Sequence, residues 1–333
     1  MQTKSVLIQS LCVPCFNRCR YCLLSWNGAV EGAEWNRSIR TAERFLYELR
    51  EQKPEINSQF SFGYSMDHPH LKEAIRTLRR LGSPTASFLQ CDGMKMRSDP
   101  ECRELMGMLH AEGVEKLNFT VYGLPIYHDC FAGRKGDFDL IIRMMRSAVN
   151  AELPFSTGIP LTTENISQID ALIGMIKDAG SERIHLFIPH EEGRGMLINK
   201  IRVCRKDLTT LSLENRKLLN EEIYRTEADW LKEAEPVQEQ NRHILISLRH
   251  DNMEDYEKRS ALSVLQEIEE RDVSYYAAYP SFRELADLYG NPEGEKLYRI
   301  RDLFFHYRTL FARDHDLHIY DVTDETCSGS RRY

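Results

Sequence analysis

Short apolar runs alternate along residues 5–188 with longer segments in which apolar residues recur every three or four positions. The short runs have the length of buried β-strands, and the longer segments have the periodicity of amphipathic helices. This alternation is typical of strand and helix units arranged around a parallel sheet. Six strands are predicted, over residues 5–11, 59–62, 85–89, 116–121, 154–159 and 183–188.

Helices are predicted between these strands, and three glycines fall where such helices would end. Six strand and helix units suit a barrel and an open sheet equally well, so the periodicity leaves that choice open. The predicted helices cover residues 42–49, 71–81, 140–149 and 166–175, and the glycines are Gly82, Gly113 and Gly180.

Beyond residue 205 the pattern changes to long charged segments, which predict helices over 213–233 and 256–270. A further apolar run over 243–248 predicts a strand. Ser281 and Glu284 have the spacing of a capping box that opens a helix at Phe282. We therefore expect a core domain over residues 1–205 and a mostly helical C-terminal region over residues 206–333, which caps the substrate pocket.

The chain has 333 residues, of which 42% are hydrophobic and 29% charged, a composition typical of folded proteins. Its N-terminus lacks the apolar segment of a secretory signal, and no apolar run approaches the roughly 18 residues of a membrane span. We expect a cytoplasmic protein that does not bind membranes. The net charge of -7 argues against nucleic-acid binding, because neutralising phosphates needs a basic surface.

Four cysteines, at positions 12, 15, 19 and 22, lie within eleven residues directly after the first predicted strand. In a reducing compartment such a group predicts a metal site, and thiolates suit zinc or an iron–sulfur cluster. Structural zinc sites usually separate their two cysteine pairs by a dozen or more residues, whereas three residues separate these pairs. A compact loop can present three thiolates to a cubane and leave its fourth iron open. We expect Cys12 to be a buried thiol at the end of the strand.

The spacing Cys15-x3-Cys19-x2-Cys22, with aromatic Tyr21 before the last cysteine, resembles the signature of the radical S-adenosylmethionine (SAM) superfamily. The resemblance implies a partial (β/α)6 TIM-like barrel. It also implies that the three cysteines bind a 4Fe–4S cluster, that the amino and carboxylate groups of SAM chelate the open iron, and that Tyr21 lies beside the adenine.

Later segments resemble other parts of this family, closest to the branch of molybdenum-cofactor and SPASM-type peptide maturases. Gly63-Tyr64-Ser65 stands where many members have a Gly-Gly-Glu segment that meets the amino group of SAM. Asn165 and the Gly193-Arg194-Gly195 turn complete the resemblance, and the arginine would offer a cationic fork to the SAM carboxylate. The segments 121–123, 128–129 and 133–136 also resemble that branch, and Cys91-Asp92-Gly93 stands where its members have Thr-Asn-Gly.

The resemblance implies an enzyme that cleaves SAM reductively to a 5'-deoxyadenosyl radical, which abstracts hydrogen from a peptide or peptide-like substrate. A flavodoxin or ferredoxin-type protein would supply the electron. The peptide interpretation follows from the branch that the later segments resemble, although a cysteine loop that begins at Cys12 leaves no room for an N-terminal peptide-recognition domain. A complete SPASM domain is not expected, because only Cys327 follows Cys204.

Two alternatives remain open at this point. The same chemistry could act on a small metabolite, or the chain could be a non-catalytic iron–sulfur or zinc module for electron transfer or binding. No catalytic residue is assigned beyond Cys327, which is a candidate hydrogen-atom donor or ligand of a second cluster.

Overall fold

The computed structural model describes residues 2–10, 15–23, 33–62, 66–83, 88–181, 183–232 and 241–317. All six predicted strands are present within one or two residues of their expected positions, apart from the starts of the first and third. They are β1 Gln2–Ser10, β2 Asn57–Phe62, β3 Phe88–Gln90, β4 Lys116–Thr120, β5 Phe155–Pro160 and β6 Arg183–Phe187.

Helices connect these strands, and the four predicted ones are confirmed. Gly82, Gly113 and Gly180 follow helix ends with positive φ, as their spacing indicates. The helices are α1 Trp35–Gln52, α2 Leu71–Arg80, α3 Asp99–Ala111, α4 Pro125–Ala132, α5 Asp137–Asn150 and α6 Ile169–Asp178. Of these, α3 is the helix whose end Gly113 marks, and α4 is additional to the sequence prediction.

The C-terminal region departs most from the sequence prediction over residues 213–233. The expected long helix over 213–233 is wrong, because Ser212 and Asn220 accept backbone N–H groups and start separate short turns. The segment forms α7 Leu213–Arg216, a 3-10 turn Glu221–Ile223, β7 Arg225–Thr226 and α8 Glu227–Lys232.

The remaining C-terminal elements follow the prediction more closely. The expected helix over 256–270 is two helices, the first ending at Lys258 and the second beginning at Ala261. The capping box of Ser281 and Glu284 opens a helix at Phe282, as predicted. The elements are β8 Asn241–Leu248, α9 Met253–Lys258, α10 Ala261–Ala277, α11 Phe282–Tyr289, β9 Leu297–Tyr298 and α12 Ile300–Asp314.

Two parallel sheets form the α/β framework, with strand orders β2-β1-β8 and β3-β4-β5-β6. The C-terminal region supplies β8, which pairs with β1 along its whole length. Repeated strand and helix units with parallel strands are the architecture of the partial TIM-like barrel expected from the sequence. The carboxyl ends of the strands in each sheet therefore share one edge, where such folds build their sites.

The outward faces of the strands are apolar and pack on helices. Val6, Ile8 and Phe60 belong to a buried cluster that includes residues of α1 and α10, whereas Leu117 and Phe119 belong to one that includes residues of α3, α5 and α6. Because side chains alternate along a strand, the intervening residues face the other side of each sheet. That concave face is largely polar, with Ser5, Gln9, Gln59, Ser61, Gln90, Asn118, Thr120, Ser156, His185 and His243.

Candidate functional site

The cysteine loop follows β1 and is held by backbone hydrogen bonds to segments that follow three other strands. Phe16 N–H donates to the Gly93 carbonyl after β3 at 2.9 Å, and Arg18 N–H donates to the Ala132 carbonyl at the end of α4 at 2.7 Å. The N–H of Arg194, after β6, donates to the carbonyl of Cys22 at 2.9 Å. The loop is thus fixed where the segments that follow β3, β4 and β6 meet.

Two glycines allow this close approach. A β-carbon at Gly93 would lie 2.1 Å from Cys15 Sγ, and one at Gly193 would lie 2.7 Å from the Cys22 carbonyl oxygen. Both have positive φ, +64° and +56° respectively, a region that favours glycine. Any larger residue at either position would push the loop away from its supports.

The thiols of Cys15, Cys19 and Cys22 form no disulfide among the described residues, and all three are half-buried. Burial raises the pKa of Cys15 to about 11 and also raises the pKa of Cys19, and a thiolate at Cys22 would raise both further. The three sulfurs therefore lie close enough for their charges to interact. The protein alone does not favour three thiolates here, whereas bound metal ions would, because they offset the negative charge.

The donor set fits a 4Fe–4S cluster. Within the described ranges, no three His, Cys, Asp or Glu side chains converge as the ligands of a single metal ion do. A cubane takes each thiolate on a different iron, so its ligands need not meet at one point. Three soft donors on one loop, which the close contact of Gly93 with Cys15 holds in place, match that requirement.

Several predicted site residues lie outside the described residues: Cys12, Gly63, Tyr64, Ser65 and Cys327. Their assignments stay predictions.

Tyr21 lies in an aromatic cluster between the ends of β4 and β6. Its ring centroid is 5.7 Å from that of Tyr122, 5.7 Å from that of Phe131 and 6.5 Å from that of Phe187. Burial raises the pKa of Tyr21 well above its usual value, so the phenol keeps its proton. The residue is half-buried beside the thiols, and this position is compatible with the expected contact to an adenine.

Asn165 is buried, and its side chain is engaged by the backbone. Its Nδ2 donates to the carbonyls of Tyr122 and Pro160, both at 2.7 Å, and its Oδ1 accepts from Thr162 N–H at 2.8 Å. These bonds tie the segment after β4 to the end of β5. Asn165 therefore positions the strand ends around the site.

The turn that contains Gly193 and Arg194 is anchored to the C-terminal region. Glu191, which is fully buried, accepts a hydrogen bond from Arg202 at 2.9 Å. Arg202 also lies 3.5 Å from Asp302 in α12, and Glu192 pairs with Arg301 of the same helix. Through this turn, α12 supports the cysteine loop.

A polar ladder on the concave face, which was not predicted from the sequence, leads up to the thiols. Asn118 Nδ2 donates to Gln90 Oε1 at 2.8 Å, and Ser156 Oγ donates to Asn118 Oδ1 at 2.9 Å. Asp92 accepts from the N–H and Oγ of Thr120 at 2.9 and 2.8 Å. Burial raises the pKa of Asp92 to about 6 despite these bonds. The sequence signal that could have predicted part of this ladder is the alternation of Lys116, Asn118 and Thr120 with apolar residues in β4.

No helix in the part of the chain that the structure describes is long and apolar enough to cross a bilayer.

Comparison with known proteins gives one family match. A family model described as the Radical SAM superfamily matches residues 11–176, the segment that contains the three cysteines and β2 to β5. No curated protein matches the sequence significantly.

Similar solved structures include SuiB of Streptococcus suis bound to the precursor peptide SuiA, with 12% identity over 74% of this chain and 58% of that chain, and a TM-score of 0.48. Coproporphyrinogen III oxidase (HemN) of Escherichia coli has 11% identity over 74% and 63% of the two chains, with a TM-score of 0.44. The chain spans less than two thirds of the length of either structure.

Proposed function

This chain belongs to the radical SAM superfamily, and from that premise we propose that it is an enzyme that cleaves SAM reductively and removes hydrogen from a peptide or peptide-like substrate. The observation that carries the proposal is the loop that holds the thiols of Cys15, Cys19 and Cys22 at the carboxyl ends of the strands, with no disulfide among the described residues.

The cofactors are a 4Fe–4S cluster and SAM, which when bound together supply an electron and a carbon-centred radical able to break a carbon–hydrogen bond. We assign Cys15, Cys19 and Cys22 as the cluster ligands. The positions of Gly93 and Gly193 support this assignment, because both keep the loop seated.

SAM would lie against the surfaces that surround the open corner of the cluster. We propose that Tyr21 contacts the adenine, that Arg194 faces the carboxylate, and that the segment 63–65 receives the amino group. Asn165 acts indirectly, since its amide holds the segments after β4 and β5 together. The aromatic rings around Tyr21 would exclude water from the adenine side.

The polar ladder on the concave face supports a peptide-like substrate. Gln90, Asn118 and Ser156 present carboxamide and hydroxyl groups that both donate and accept hydrogen bonds, as peptide groups do. The groups already bond to one another, and a substrate made mainly of hydrocarbon would bury their remaining donor and acceptor capacity without partners, at a cost in binding energy. These three side chains are uncharged, so they favour neutral amides over phosphorylated metabolites.

The outer side of the cysteine loop supports an acidic electron donor of the flavodoxin or ferredoxin type. Phe16 and Met96 are 46% and 47% exposed there. Arg18, Lys95 and Lys135 are exposed on neighbouring segments. A local group of cations on a chain of net charge -7 would steer a negatively charged partner to the cluster. We also propose a cytoplasmic location, since reduced thiols need a reducing compartment.

The test is anaerobic cluster reconstitution followed by assay of 5'-deoxyadenosine with SAM and a strong reductant. Cys15→Ala, Cys19→Ala and Cys22→Ala should each abolish the product, whereas Cys130→Ala, which removes an exposed thiol outside the loop, should retain it. A colourless wild-type protein that binds zinc would contradict the proposal and favour a binding module.

The substrate class can be tested with material from cells grown in deuterated medium. A peptide fraction should transfer deuterium into 5'-deoxyadenosine, whereas the small-metabolite fraction should not. Transfer from the metabolite fraction alone would assign the enzyme to small-molecule chemistry.

A further inference from the structure

The phenol of Tyr122 contacts the sulfur of one loop cysteine directly. Tyr122 Oη lies 3.1 Å from Cys19 Sγ, which is a hydrogen-bonding distance. Tyr122 follows β4 and is almost fully buried. A phenol has an ordinary pKa of about 10 and therefore carries its proton at neutral pH.

The direction of this hydrogen bond depends on the state of the cysteine. In a free thiol either atom can donate. A cysteine that binds iron is a thiolate without a proton. When Cys19 binds a cluster, the phenol of Tyr122 is therefore the donor in this contact and the sulfur is the acceptor.

The ring of Tyr122 is fixed from several sides. Its backbone N–H donates to His128 Nδ1 at 3.1 Å, and its carbonyl accepts from Asn165 Nδ2 at 2.7 Å. The ring stacks on His128 with the centroids 5.0 Å apart, and it packs on Phe131 at 4.9 Å. A donor held this firmly loses little entropy when it bonds to the thiolate.

The same network reaches back into the cysteine loop. Nε2 of His128 lies 3.1 Å from Asp137 Oδ2, and Asn17 Nδ2 donates to that same oxygen at 2.9 Å. Because Nδ1 of His128 accepts the N–H of Tyr122, its Nε2 carries the proton and donates it to Asp137. Asn17 lies between Cys15 and Cys19 in the sequence. The carboxylate of Asp137 therefore helps to position both Tyr122, through His128, and the cysteine loop, through Asn17.

From this geometry we propose that Tyr122 is a positioning residue whose phenol donates a hydrogen bond to the Cys19 thiolate and raises the reduction potential of the bound cluster. The reduced cluster carries one more negative charge, part of which lies on the thiolate sulfurs. A hydrogen bond to sulfur stabilises that state more than the oxidised one. The inference rests on the proposed function, because it requires Cys19 to bind a cluster.

The experiment is a redox titration of the reconstituted protein without SAM, in which electron paramagnetic resonance measures the reduced cluster. In Tyr122→Phe the ratio of reduced to oxidised cluster at a fixed potential should fall about tenfold, equal to a potential about 59 mV lower for one electron. Phenylalanine keeps the ring packing, so a role limited to packing would leave the potential unchanged.

Tyr127→Phe is the matched control. Its ring packs on Phe131 at 5.7 Å, while its hydroxyl contacts Thr162 at 3.0 Å and Glu164 at 3.2 Å. Removal of this hydroxyl should leave the potential at the wild-type value. Equal potentials for Tyr122→Phe and wild type, at equal cluster content, would overturn the proposal.

If Tyr122→Phe does not hold the cluster, 3-fluorotyrosine placed at position 122 gives the test. Its more acidic phenol should donate a stronger bond and raise the potential, and an unchanged potential would overturn the proposal. A wild-type protein that takes up no 4Fe–4S cluster would instead contradict the proposed function, so the two failures are distinguishable.

Discussion

Gly93 and Cys15 are in direct contact, so closely that a β-carbon at position 93 would stand 2.1 Å from the cysteine sulfur. The contact joins the segment after β3 to the first proposed cluster ligand. Gly93 also accepts a hydrogen bond from Phe16 N–H through its carbonyl at 2.9 Å. The position of the sulfur thus depends on the absence of a side chain at a residue far along the chain.

Gly93→Ala should reduce bound iron about tenfold, because the new methyl group would displace Cys15. Iron and sulfide content after anaerobic reconstitution measures this effect. Gly82→Ala is the matched control, since Gly82 has a similar φ of +70° but open space around it. Both variants should lose about 1–2 kcal/mol of stability from the left-handed backbone, but only Gly93→Ala should lose iron. Equal iron in both variants would contradict the role of this contact.

Arg202→Ala should destabilise the protein by about 3–5 kcal/mol, because it leaves the carboxylates of Glu191 and Asp302 buried without this partner. Urea unfolding measures the free energy. In the control Arg205→Ala, an exposed ion pair with Asp229 is lost, and the change should stay below about 1 kcal/mol. Similar values for the two variants would show that α12 does not anchor the turn as described.

Asp92 makes stability depend on pH. Its pKa is raised from 3.8 to about 6 by burial, so between these values the folded state holds a proton that the unfolded state has released. The contribution of Asp92 therefore favours folding below about pH 4 and is lost as pH rises through about 6. As pH rises from 4 to 7, the free energy of unfolding of Asp92→Asn should therefore increase relative to that of wild type by up to about 3 kcal/mol.

Chemical unfolding of the metal-free protein at pH 4 and at pH 7 measures the stability difference between Asp92→Asn and wild type. Asn57→Ala, which changes an exposed residue without an ionisable side chain, should show a difference that does not change with pH. A constant difference for Asp92→Asn would contradict the assigned burial.

Asn118→Ala should separate SAM cleavage from substrate chemistry. The substitution leaves Gln90 and Ser156 without their shared partner on the concave face. We expect 5'-deoxyadenosine formation without substrate to stay near the wild-type rate, and deuterium transfer from the peptide fraction to fall about tenfold. The control Asn57→Ala changes an exposed residue at the start of β2. Equal deuterium transfer in both variants would show that the polar ladder does not contact the substrate.

The strands and most helices of the barrel could be predicted from the sequence, since alternation and three-to-four spacing are local properties. Periodicity could not show that the helix expected over 213–233 is absent. The side chains of Ser212 and Asn220 each accept a backbone N–H group and start separate short elements there. The cysteine spacing identified the candidate ligands. The contact between Tyr122 and Cys19 joins residues 103 positions apart, and nothing in the local sequence of either residue indicates it.

Asn165 shows a second limit of sequence reasoning. The resemblance assigned it to the cofactor, whereas its amide bonds to the backbone of three other residues. Hydrogen bonds of this kind depend on how strand ends meet, which the sequence pattern does not specify. The assignment of Asn165 to SAM therefore stays a prediction, and its positioning role follows from the geometry.

Three thiols of one loop hold, on this account, a four-iron cluster whose remaining iron binds SAM. Mössbauer spectroscopy of the protein reconstituted with iron-57, before and after addition of SAM, tests this claim most directly. We expect one iron of the cluster to change its spectrum when SAM is added, while the other three keep theirs. A cluster in which every iron stays unchanged, or a site with four protein ligands, would contradict the account.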